Sequence, residues 1–327
     1  MKKTLTFILV ALALGFASCG GGNTTNQSRE VVEETTSFVN ADFLYVEDGD
    51  IFFYDLEKQE PMRYPNEPDM VVDAVCSTQG VVYYNVIADN RLLLKSLDLN
   101  EANPMPVTLT DWNVDMEEEN EYGYPPFGNM YINKSQNQIG LEVELTWFAG
   151  PSSNLAIYDC PTQTLSKLER IHDGWYDEMM DENGFDAYFR VSNYDENLFE
   201  ISDHLYYLGD GERVCLSDKI DEEDITGFNE FGMFIEPVAL DPSGTRLLFC
   251  ESIGMGDASM GFFAVASLDG EEQMFVSDLD EDFVTPEWLS DGSLLFRGYD
   301  SDAVLFLMDP DGDVQTVAQT WTFCVLP

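Results

Sequence analysis

Thr285-Pro286-Glu287-Trp288-Leu289-Ser290-Asp291-Gly292-Ser293-Leu294-Leu295-Phe296 is the stretch that decides the fold. Pro286 to Leu289 read as a short strand, Ser290-Asp291-Gly292 as a hairpin turn, and Leu294 to Phe296 as the returning strand. The pattern continues through Ala303 to Met308, a turn at Asp309-Pro310-Asp311-Gly312, and Val314 to Ala318. A second copy runs from Glu236-Pro237-Val238-Ala239-Leu240 through Asp241-Pro242-Ser243-Gly244 to Arg246-Leu247-Leu248-Phe249, and resumes at Phe262 to Gly270. Each copy predicts a four-stranded antiparallel unit. Leu247 to Cys250 and Ala303 to Met308 are apolar without alternation, as expected of strands buried on both faces between neighbouring sheets.

Fainter copies begin at Val72 to Cys76 with a return through Val81 to Tyr84, at Met130 to Ile132 with Ile139 to Leu145, and at Leu198 to Ile201 with Leu205 to Leu208. The N-terminal unit, Phe43 to Val46 and Ile51 to Leu56, lacks its innermost strand, and Thr320 to Leu326 at the C-terminus is expected to supply it. Such closure covers edges that would otherwise invite aggregation. The Pro-x-aromatic strand with its Asp/Ser-Gly turn resembles the WD40-like repeats of TolB-type β-propellers, with Trp288 as the aromatic and Ala239 in its place in the second copy. That resemblance is specific to the last third of the chain. It implies an all-β fold, a β-propeller, and protein–protein interaction as a typical use. Six blades of about 48 residues are expected over residues 38–327. A seventh is the alternative if Phe185 to Val191 is counted as a strand.

Residues 1–18 read as a signal peptide. Lys2 and Lys3 precede an apolar run from Leu5 to Phe16, too short for a span of about 20 residues. Phe16-Ala17-Ser18-Cys19 resembles the lipobox of bacterial lipoproteins, which implies lipidation at Cys19, and Gly20 after the cysteine implies the outer membrane, facing the periplasm or the exterior. Residues 19–37 are then a lipidated tether, rich in Gly, Asn, Thr, Ser and Glu, reaching roughly 25 Å.

The 327 residues contain 62 acidic and 15 basic side chains, a net charge of −47. Such a surface repels nucleic acid and anionic headgroups and favours cationic partners or metal ions, while also keeping the protein soluble. Cys76, Cys160, Cys215, Cys250 and Cys324 show no C-x-x-C spacing, and several lie in apolar runs, which predicts buried structural thiols. One disulfide stays open as an alternative.

No catalytic signature emerges. His172 and His204 are the only histidines. Gly256 to Gly261 has the wrong spacing for a nucleophile elbow and reads as part of a long hairpin loop over 254–261. Asp309 to Asp313 reads as a turn rather than a calcium loop. Asp278, Asp280 and Asp282 form a dense acidic group, the one weak candidate for Ca2+. Two acidic segments with interleaved aromatics, expected as loops over Asp111 to Glu121 and His172 to Asp186, are the candidate binding surface. Trp112, Glu117, Glu118, Glu119 and Tyr122 belong to the first, and Trp175, Tyr176, Asp177 and Glu178 to the second. Aromatics beside carboxylates suit a basic protein or peptide, or a glycan. The expected function is a non-enzymatic, membrane-anchored binding scaffold; a carbohydrate-binding or carbohydrate-active propeller is the alternative.

Overall fold

A computed structural model of the chain describes residues 38, 40–117, 128–133, 135–144, 153–166, 169–170, 198–201, 204–209, 212–216, 234–255, 258–278, 286–297 and 303–327. Contacts divide the chain into Met1–Thr36 and Ser37–Pro327. The expected signal peptide, Cys19 and the tether lie outside the described residues, as does Phe185 to Val191.

Every described element of regular structure is a strand. The first sheet contains β1 (Phe43–Glu47), β2 (Asp50–Asp55) and β3 (Glu60–Arg63). The second holds β4 (Met70–Cys76), β5 (Val81–Ala88), β6 (Arg91–Asp98) and β7 (Val107–Asp115). In the third are β8 (Asn129–Ile132), β9 (Gln138–Glu144), β10 (Ser153–Asp159), β11 (Thr164–Leu165) and β12 (Glu169–Arg170). The fourth comprises β13 (Leu198–Ile201), β14 (His204–Gly209) and β15 (Glu212–Cys215). The fifth has β16 (Phe234–Leu240), β17 (Arg246–Met255), β18 (Ala258–Ser267) and β19 (Gln273–Asp278). The sixth has β20 (Glu287–Trp288), β21 (Leu294–Arg297), β22 (Val304–Met308) and β23 (Val314–Gln319). The last strand, β24 (Thr322–Val325), returns to the first sheet, whose order is β24-β1-β2-β3. Four sheets thus have four antiparallel strands: in the second, fifth and sixth they follow chain order, and in the first the final strand β24 precedes β1.

The sequence's unalternating apolar runs have a direct cause. Phe43 and Tyr45 pack towards Leu295, Leu305 and Leu307 of the sixth sheet, while Leu44 and Val46 pack with Val71, Val82 and Tyr84 of the second. Leu247 and Phe249 join Leu205 and Leu216 of the fourth sheet, and Leu248 and Cys250 join Leu294 and Phe296 of the sixth. Val75, Leu92, Leu94 and Trp112 meet Ile139, Leu141 and Val143 of the third. Sheets one, two and three, and four, five, six and one, therefore stack face to face in chain order. The first, second, fifth and sixth sheets are thus blades with two buried faces, the arrangement of a β-propeller.

Two expectations need correction. Asp111 does not open a loop: β7 continues through it to Asp115, and Trp112 is fully buried. Residues 254–261 are not a long loop either, because β17 and β18 pair as far as Met255 and Ala258. Asp309 to Asp313 is the expected turn. Gly312 takes a φ of 90°, and the Asp309 carboxylate accepts the backbone N–H groups of Asp311 and Asp313 at 3.0 and 2.9 Å. All five described cysteines are free thiols.

The first sheet is joined to the second by residues 64–69, which a buried polar network fixes. Lys95 donates to Glu67 at 2.7 Å and to Asp69 at 2.8 Å, while the Tyr84 hydroxyl donates to the other Glu67 oxygen at 2.8 Å. Buried charges are tolerated only when matched in this way.

The β24–β1 pairing runs from Phe43↔Val325 to Val46↔Thr322, and the Thr320 hydroxyl donates to the Val46 carbonyl. A chain ending at Thr320 is expected to expose the β1 edge, melt at a lower temperature and scatter light on standing. The single change Trp321→Ala, at a side chain 59% exposed, should stay within about 1 kcal/mol of the parent. Equal melting of the truncated and full chains would show that ring closure is dispensable.

Candidate functional site

Antiparallel alternation sorts the connections between two rims. The first strand of each sheet begins at what we term the upper rim, and a fourth strand ends there. At this rim β7 and β12 end and β8 and β13 begin; residues 118–127 and 171–197, which follow β7 and β12 in the sequence, lie outside the described residues. The first contains Glu118, Glu119 and Glu121 with Tyr122 and Tyr124, directly after Glu117; the second contains eight carboxylates with Trp175 and Tyr176. In the sequence they flank the third sheet.

Of the residues expected to form the binding surface, two are described. Glu117 is exposed at the end of β7, where its carboxylate accepts from Asn90. Trp112 is withdrawn from the surface. Its indole N–H donates to Asn85 Oδ1 at 2.6 Å inside the core between the second and third sheets. Glu118, Glu119, Tyr122, Trp175, Tyr176, Asp177 and Glu178 lie outside the described residues. So do Asp280 and Asp282, while Asp278 is the last residue of β19. Among the described residues no group of three or more His, Cys, Asp or Glu side chains is close enough to hold a metal ion.

The sequence reading missed Asp73. This carboxylate sits on the innermost strand β4 and gathers donors from three sheets. The Thr322 hydroxyl of β24 donates at 2.6 Å, the Met130 backbone N–H of β8 at 2.7 Å, and the Ala74 N–H at 2.8 Å. Burial pushes its pKa up to about 6, against the opposing pull of these three hydrogen bonds. A charged residue inside the apolar run Val71-Val72-Asp73-Ala74-Val75 was the available signal. Cys76, three residues on, is pushed up to about 12 by burial and then by the Glu287 charge, so it is a structural thiol and not a nucleophile. Near the upper rim Arg297, itself buried, stacks on Trp321 at 4.8 Å. Burial lowers the Arg297 pKa to about 10, so the group stays charged at neutral pH.

No protein-family model matches the chain, and no curated protein does. Among solved structures the chain is similar to the crystal structure of TolB from Acinetobacter baumannii, at 11% identity and a TM-score of 0.39, covering 84% of this chain and 65% of that one. It is similar to a nidogen/laminin complex at 11% identity and a TM-score of 0.39, covering 88% of this chain and 98% of that one. A third is the β-propeller domain of the trilobed protease from Pyrococcus furiosus, at 12% identity and a TM-score of 0.30, with 84% and 79% covered. At these identities and scores the likenesses assign neither a family nor an activity.

The raised pKa of Asp73 fixes the sign of its contribution. Between about pH 4 and 6 the folded chain holds a proton that the unfolded chain has released, so stability from this group rises as pH falls through 6. Comparison with Asp73→Asn cancels the titration of the other carboxylates. Urea unfolding of both proteins should show the balance moving towards the parent by about 2 kcal/mol between pH 7.5 and 4.5. A balance that stays flat, or moves the other way, would mean that burial does not govern this carboxyl.

Proposed function

We propose that this protein is a lipid-anchored, non-enzymatic scaffold of the outer membrane: a six-bladed propeller, tethered through Cys19, that engages a basic protein or peptide at its upper rim. The observation that carries this reading is the topology of two consecutive connections. Both acid- and aromatic-rich segments start and finish at strand ends of one rim. Glu117, Glu118 and Glu119 of one segment thus belong with Asp177 and Glu178 of the next. Tyr122, Trp175 and Tyr176 supply stacking and cation–π surfaces beside them. Long connections on a rigid stack of sheets are where recognition residues concentrate. The net charge of −47 adds long-range attraction for a cationic partner, which speeds encounter more than it tightens binding. Trp112 has no part in this surface, because it belongs to the core.

The test is crosslinking in cells that express the full chain, followed by affinity purification and mass spectrometry. The comparison is a variant carrying Glu117→Gln, Glu118→Gln, Glu119→Gln, Asp177→Asn and Glu178→Asn. A stoichiometric partner recovered with the parent and lost with the variant is the expected result. A partner retained equally by both would remove the upper rim from the function. The anchor is tested separately by the intact mass of the purified protein and by Cys19→Ser, which should move the protein from the membrane fraction to the soluble one.

A further inference from the structure

The lower rim, at the opposite end of the sheets, carries a second and differently built site. Between the sixth and first sheets lies a cavity of about 240 Å³. Leu56, Leu307 and Val314 supply apolar wall, and Asp291, Asp309 and Asp313 supply carboxylates; no basic residue lines it. The two turns that hold the acids are fixed from behind. The Arg246 guanidinium donates to the carbonyls of Gly292 at 2.6 Å and Pro310 at 3.2 Å, and pairs with Asp241, so its charge is engaged away from the cavity. The neighbouring Lys58 is paired with Asp55. Asp42, also at this end, is pushed up by burial and then by the charges of Asp55, Asp291 and Glu57, which is the mark of a negative field short of cations.

Beside this cavity runs an unusual edge. Outer strands β3, β7 and β19 carry charged residues, and β3 also a proline, features that discourage strand addition. Outer strand β23, Val314-Gln315-Thr316-Val317-Ala318-Gln319, carries neither. Its first three residues are exposed, Val314 by 53%. At its far end the Gln319 N–H is already taken by Glu47, and among the described residues no strand pairs with the outer side of residues 314–318. Val314 and Gln315 belong to both the edge and the cavity.

We propose that β23 and this cavity together form a docking site for an extended, lysine- or arginine-bearing segment of a partner protein. The segment adds antiparallel to β23 by backbone hydrogen bonds, and one basic side chain enters the cavity. A long cationic side chain suits such a wall, with its aliphatic stem against Leu56, Leu307 and Val314 and its charged tip against the three carboxylates. The acids are too widely spread to hold a metal ion, which favours a cation carried on a chain. The protein's own tether is a poorer match, since its single Arg29 is followed by Glu30, Glu33 and Glu34. A second copy is disfavoured by the charge of −47. This site is separate from the upper rim and does not depend on it.

The probe is a fluorescent hexapeptide, acetyl-Thr-Val-Thr-Val-Lys-Thr-amide, titrated at low salt into the full chain. Controls of equal charge carry N-methyl groups on alternate amides, first at odd and then at even positions. One N-methylated form should lose binding, because its strand-pairing donors are gone, whereas general attraction to an acidic protein would hold all three equally. Asp313→Asn, and norleucine in place of the peptide's lysine, should each weaken binding about fivefold or more. The five-fold neutralised upper-rim variant should bind the peptide like the parent. Equal affinity for the parent and both N-methylated peptides, or no saturable binding at millimolar peptide, would overturn the proposal. Loss of binding only in the upper-rim variant would also overturn it, while leaving the upper-rim reading standing.

Discussion

The first, second, fifth and sixth sheets each lie between two others, and that double burial governs the rest of the structure. A strand buried on one face can alternate apolar and polar residues; a strand buried on both cannot. Phe43-Leu44-Tyr45-Val46 sends successive side chains to opposite neighbours, and all four are buried. Leu247-Leu248-Phe249-Cys250 does the same between the fourth and sixth sheets. Among the described residues, buried polar groups are few and most of them are matched by partners. Glu67, Lys95 and Tyr84 form one such set, and Asp73 with Thr322 and Met130 another.

The same constraint shapes the electrostatics. With 15 basic against 62 acidic residues, cations are scarce, and several are engaged in holding the fold. Arg246 ties two turns of the sixth sheet to the fifth, Lys95 pins the linker between the first two sheets, and Arg297 stacks beneath Trp321. The surface is left with carboxylates. At one end the described carboxylates stand in tight turns around a small cavity.

Much of this was legible in the sequence, and the exceptions have physical causes. The repeated strand–turn–strand units, the faint copies at Val72, Met130 and Leu198, and the return of the C-terminal strand all follow from apolar runs punctuated by turn residues. Trp112 was misread because the carboxylates around it outweighed the alternation. Trp112 and Val114 point inwards while Asn113 and Asp115 point outwards, which is the period of a half-buried outer strand. The glycines near residue 256 were misread for a related reason. Gly254 and Gly261 lower local strand preference, but pairing along the whole β17–β18 hairpin overrides it. Asp73 shows the limit most clearly. A carboxylate that joins β4 to residues 57 and 249 positions away leaves no local pattern beyond being out of place.

The return of β24 also sets an order in time. Ribosomes make the chain from its N-terminus, so the residues from Phe43 to Arg63 emerge more than 250 residues ahead of Thr322 to Val325. The first sheet is therefore a three-stranded fragment until β24 has been made, with the inner edge of β1 and the apolar side chains of Phe43 and Tyr45 lacking their final neighbours. No early domain can finish folding and wait. The chain is committed to late, concerted completion, and any holding factor that acts on it will meet the β1 edge before the protein itself can cover it.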